Sequence, residues 1–141
     1  MIKILLFLFL VFSKISYSYI NIYPTKFEKN ITDGINESFK LYNGSGEQVR
    51  YRVYLEKGRQ NDMSDWIEIY PNSITLNPLE EKEVRLSINP PKEAKEGKYK
   101  SKLVVKEVGI PRKKTEKKVN FFTIFKLNMT GYIGENNEKI K

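Results

Sequence analysis

The chain has no cysteine and no histidine in its 141 residues. Without cysteine no disulfide can staple the fold, so apolar burial alone must hold it. Without either residue, Cys/His zinc sites, serine–histidine and cysteine–histidine nucleophiles and imidazole acid–base chemistry are all excluded. Carboxylates remain, among them Asp62, Asp65, Glu80 and Glu81, but no base or metal-ligand pattern accompanies them. Glu80 and Glu81 read as a solvated turn. The expectation is a binding protein with no catalytic residues, no cofactor and no metal. Long apolar runs are also scarce. The first, Ile4 to Phe12, is well short of the about 20 residues that cross a bilayer. Lys3 precedes it and the small residues Ser16 and Ser18 follow it. Residues 1–18 therefore read as a signal peptide, and the product as periplasmic or secreted, bacterial, and without an integral membrane segment after cleavage. What remains suits one domain at 19–132 and a polar tail at 133–141.

Acidic charge is in deficit. Lysine and arginine total 25 against 17 aspartate and glutamate, a net charge of +8. Such a surface suits nucleic acid, anionic lipid or acidic protein. Export argues against nucleic acid, and a bias toward Lys, Asn and Ile accounts for most of the charge. The Asn-x-Ser/Thr triplets at Asn30, Asn36, Asn43 and Asn128 are expected by chance in so Asn-rich a chain.

Helical periodicity is missing too, and period two takes its place. Val49, Tyr51, Val53 and Leu55 alternate with Arg50, Arg52, Tyr54 and Glu56, which predicts a strand half exposed to water over 48–57. Residues 82–89 alternate through Val84, Leu86 and Ile88 and end at Pro90-Pro91. Residues 98–106 set Tyr99, Leu103 and Val105 against Lys98, Lys100, Lys102 and Lys106, with Val104 interrupting the polar face. Further strands are expected at 19–27, with Pro24 marking an edge or a change of partner, at 35–43, at 66–70 and around Ile74 and Leu76. Asn30–Gly34 and Asn43–Gly46 read as turns, and Gly58–Ser64 as a polar loop. Seven or eight short strands separated by turn signals predict an all-β, immunoglobulin-like antiparallel sandwich.

The last strand, 119–132, breaks the alternation. Val119, Phe121, Phe125, Leu127 and Met129 fill one face, and Phe122 and Ile124 make the first half of the other face apolar as well. One face can enter the core; the other needs a cover. At a sheet edge such a strand recruits an extended partner by β-augmentation. Before it lies a basic loop, with Arg112, Lys113, Lys114, Lys117 and Lys118.

Tyr23-Pro24-Thr25-Lys26, Leu41-Tyr42-Asn43, Trp66-Ile67-Glu68-Ile69-Tyr70-Pro71, Ile74-Thr75-Leu76 and Gly97-Lys98-Tyr99 occur in that order. Together they resemble the N-terminal domain of PapD-like periplasmic pilus chaperones, over roughly residues 19–132. The resemblance implies that the last strand lends apolar side chains to an incomplete exported subunit. It further implies that two basic residues on the first and last strands, here Lys26 and Lys126, hold that subunit's terminal carboxylate. Val119 and Phe121 fall at the donor spacing, upstream of Lys126. The sequence departs from the family in carrying lysine at the first basic site, where arginine is usual. It also carries Met129-Thr130-Gly131-Tyr132 in place of an aromatic-Arg-Pro lead into a second domain.

Two functional expectations follow. The first is an exported single-domain chaperone-like module that assists assembly of pilus, fimbrial or other surface proteins by strand donation from residues 119–126. Its donor residues would be Val119, Phe121, Phe122 and Ile124, and homodimerisation through the same strand is an associated expectation. The second is a structural or accessory module of a cell-envelope complex, held to its neighbours by the basic loop.

Overall fold

The strict alternations become the long strands. The computed structural model describes residues 20–109 and 122–134. Its strands are β1 (Ile20–Tyr23), β2 (Phe27–Asn30), β3 (Ile35–Asn43), β4 (Val49–Glu56), β5 (Ile67–Tyr70), β6 (Ser73–Leu76), β7 (Glu81–Ile88), β8 (Gly97–Val108) and β9 (Ile124–Ile133). A single 3-10 turn, Ser64–Trp66, precedes β5. Among the described residues nine strands stand where seven or eight were expected: the first ends at Tyr23, and a further one, Phe27–Asn30, runs into the start of the expected Asn30–Gly34 turn. The expected last strand begins at Ile124; Val119 and Phe121 lie outside the described residues, as do Arg112, Lys113, Lys114, Lys117 and Lys118.

The strands form two sheets, ordered β1-β3-β7-β5 and β2-β9-β8-β4-β6. Each turns one set of alternate side chains inward. Phe39, Leu41, Val84, Leu86 and Ile88 from the first sheet meet Val53, Leu76, Leu103, Val105 and Met129 from the second, all essentially inaccessible to water. The outward set is polar, as expected for antiparallel sheets with one solvated face. The architecture is an immunoglobulin-like sandwich.

Two features of this frame position the site described below. First, the chain changes sheets at its start. β1 pairs antiparallel with β3; beyond the cis Tyr23–Pro24 bond, β2 pairs parallel with β9 in the other sheet. Pro24 falls in the crossing, where no ladder needs its missing N–H. Second, the far end of β9 is clamped. Ile31 and Met63 are fully buried, although both sit in stretches that read as turn or polar loop. They close on Gly131: a Cβ there would meet Ile31 Cδ1 at 2.5 Å and Met63 Sδ at 3.0 Å. Only glycine lets the two chains approach β9 so closely.

The Asn43–Gly46 turn is also more than a surface bend. Asn43 is buried and its Nδ2 donates to the carbonyls of Glu47 and Asn77 at 2.8 and 3.0 Å. Its Oδ1 accepts from Ser45 N–H and Ser45 Oγ. One side chain thus ties the β3–β4 turn to the end of β6.

Candidate functional site

β9 has a neighbour on one side along its whole length and on the other side along half of it. β8 pairs with it from Ile124 to Ile133. β2 covers only Met129 to Tyr132. Among the described residues no strand covers Ile124 to Asn128 on that second side.

The backbone polarity of the open stretch follows from two hydrogen bonds. Glu107 N–H donates to the Thr123 carbonyl at 2.8 Å, so odd-numbered residues of this strand turn their peptide groups toward β8. Ile31 N–H donates to the Tyr132 carbonyl at 2.8 Å, so even-numbered residues turn theirs the other way. Ile124 and Lys126 therefore present N–H and C=O groups to a strand position that no described residue fills. That is a template for one further strand.

Side chains on both faces of the opening are apolar. Phe125 and Leu127 face inward and are half-buried, packed against the core. With Asn21, Ile22, Thr25 and Lys126 they line a shallow groove of about 290 Å³ between β1 and β9. On the outer side Ile124 is 50% exposed and Phe122 is 56% exposed. The Phe122 ring lies against Gly109, where a Cβ would stand 3.6 Å from it. Neither is sealed within the described part of the molecule. The other half of this sandwich edge is closed by β2 and by an inward-facing ion pair, Lys29 to Glu37, that bridges the two sheets. Nothing in the sequence pattern marked that pair, since it joins residues from strands in different sheets.

Lys26 and Lys126 each have a carboxylate of their own. Lys126 Nζ lies 2.7 Å from Glu56 Oε1, and the hydrogen bond and charge of Glu56 raise its pKa. To reach Glu56 on β4, Lys126 spans β8 and crosses Val104. Val104, between Lys126 and Tyr54 in the register, is fully buried on the face that the lysines of β8 mark as outward. Lys26 Nζ pairs with Glu28 at 2.5 Å and its pKa is raised by that partner. Glu28 also accepts the Tyr132 hydroxyl at 2.6 Å, and these two hydrogen bonds, that from Lys26 first, hold its carboxyl below the usual range. The two ammonium groups are thus engaged separately, and to share a third carboxylate both would have to exchange partners. Both lysines are exposed and their glutamates half-buried, so each pair holds its ammonium group only weakly.

No family model and no curated protein matches the chain. Solved structures do match its fold. The CupB2 chaperone of Pseudomonas aeruginosa aligns at 14% identity over 80% of this chain and 55% of its own, with a TM-score of 0.61. A chain of the CsuC–CsuE chaperone–tip adhesion subunit pre-assembly complex of Acinetobacter baumannii aligns at 14% identity over 82% of this chain and 57% of its own, TM-score 0.63. The fold is that of a PapD-like domain. The PapD-like fold recurs in SSP-19 of Caenorhabditis elegans, an MSP-domain-like protein: 17% identity, 79% of this chain, 98% of that one, TM-score 0.58. This chain spans little more than half the length of the two chaperone chains. No helix among the described residues is long and apolar enough to cross a membrane.

Proposed function

We propose that this protein is an exported chaperone-like binding module that captures an extended segment of another exported protein on the open side of β9. It acts by binding and not by catalysis. The observation that carries the reading is the half-covered strand: free peptide groups at Ile124 and Lys126, flanked by exposed Phe122 and Ile124 outside and by Phe125 and Leu127 inside. Partner backbone would complete the ladder for affinity, and alternate side chains entering the groove would give selectivity. The PapD-like fold and the pilus-chaperone structures that share it support a subunit of a surface fibre as the class of partner. In that case the groove would hold apolar residues, and Lys26 and Lys126 would release Glu28 and Glu56 to take a terminal carboxylate.

The test is recovery of exported partners with the tagged protein from an envelope extract. Ile124→Glu should abolish recovery while leaving the melting temperature within a degree or so of the parent, because the side chain is half exposed. Unchanged recovery would remove the reading.

A further inference from the structure

Charge on this molecule is divided between its two outer faces. On the outer face of the β1-β3-β7-β5 sheet, Lys40 pairs with Glu81 at 3.2 Å and Arg85 lies 3.9 Å from Glu83. The other outer face is different. Along β8, Lys98, Lys100, Lys102 and Lys106 all point outward and are exposed. Arg52 stands opposite Lys106 in the neighbouring strand, and Arg50 lies two residues beyond it. Two acids on this face, Glu28 and Glu56, are already engaged by Lys26 and Lys126, and Glu28 also feels the charge of Lys98. Of the six cations in the stripe, Lys98 lies over the Tyr132 ring at 5.4 Å and Arg50 Nε donates to Thr75 Oγ1. No described carboxylate comes within ion-pair distance of any of the six.

We propose that this stripe is a second binding surface, for an extended acidic polypeptide segment laid along β8 and β4. Outward side chains on a strand recur about every 6.8 Å, so Lys98 to Lys106 makes a line of about 27 Å. An extended polypeptide has the same repeat. Carboxylates on alternate residues of such a chain fall in register with Lys98, Lys100, Lys102 and, past Val104, Lys106; Arg52 stands beside Lys106 on β4, and Arg50 lies one step further along. A planar lipid surface fits less well. Sheet twist of about 20–25° per strand turns the outer strands away from any one plane, leaving the cations as a ridge. The Lys126–Glu56 pair crosses β8 within this stripe, but the surface needs neither the open peptide groups of β9 nor its groove.

The test uses the full chain and a fluorescent synthetic peptide of alternating glutamate and serine, about 8–12 residues long to span the stripe. Comparators are a peptide of the same composition with its glutamates in one block, polygalacturonate, and vesicles containing phosphatidylglycerol. The alternating peptide should bind best, and its affinity should fall as salt rises. Lys100→Glu with Lys102→Glu should weaken it about tenfold, since two attractions become two repulsions. Lys40→Glu, on the opposite face, should leave it unchanged. If melting curves show the reversed variant unfolded, Lys100→Gln with Lys102→Gln should weaken binding about threefold. Binding should survive Ile124→Pro, which disables the edge without altering charge, so loss of one surface is told from loss of the other. Equal affinity in the charge-altered and parent proteins overturns the proposal. So does tighter binding of the vesicles, of polygalacturonate or of the blocked peptide.

Discussion

Three single residues decide how firmly the frame behind the site is held. Gly131 is the first. Ile31 and Met63 are fully buried and have nowhere to retreat from an added methyl. Gly131→Ala should cost about 1–3 kcal/mol in urea unfolding. Asn43 is the second: Asn43→Ala strands buried donors and acceptors from two turns at once, with an expected loss of about 3 kcal/mol in the same assay. Tyr51 is the third. Burial first, and then the charge of Glu107, push its hydroxyl up from 10.0 to about 12. A folded-state pKa above the unfolded one gives stability that is complete below pH 10 and drains away as pH climbs toward 12. Unfolding free energy should decline across that window, and Tyr51→Phe should flatten the decline.

These residues also mark where sequence reasoning stopped. Met63 sits among Arg59, Gln60, Asn61, Asp62, Ser64 and Asp65, and no local pattern distinguishes it from loop. Its burial comes from β9 passing beneath it, which is a tertiary fact. Asn43 was legible as a turn former, but its reach to Asn77 depends on β6 lying beside β4.

At the scale of elements, the periodic strands β4, β7 and β8 were readable because each has one wet face, and alternation records that directly. The first strand was half legible. Pro24 signalled a change of partner, but not that Phe27–Asn30 would run parallel to β9 in the opposite sheet. Val104 looked like a flaw in the polar face of β8 and is instead buried between its cross-strand neighbours Tyr54 and Lys126. The two-sided apolar start of β9 was legible as surface in need of a cover; which edge stayed open was not, since that depends on where β2 stops. Proline scanning tests the resulting parity. Ile124→Pro removes an N–H that faces the open side and should change stability by less than about 0.5 kcal/mol while abolishing partner capture. Phe125→Pro removes an N–H directed at β8 and should lower the unfolding midpoint markedly.

For the whole molecule, two surfaces emerge on one sheet: an open edge with apolar flanks, and a basic outer face beside it. Composition showed the excess of lysine, but only the fold sorts it: cations of both sheets form ion pairs, while those along the outer side of β8 have none among the described residues. The PapD-like fold itself leaves function open, because it is shared by chaperones and by an MSP-domain-like protein. What carries the functional reading is the strand position beside Ile124 and Lys126, which no described residue fills. Amide hydrogen exchange on the free protein and on its complex with a captured partner reads that position directly. In the free protein the Ile124 and Lys126 amides should exchange rapidly while those of Phe125 and Leu127 are protected, and in the complex all four should be protected. Protection of Ile124 and Lys126 without a partner, or their continued rapid exchange in its presence, would contradict the account.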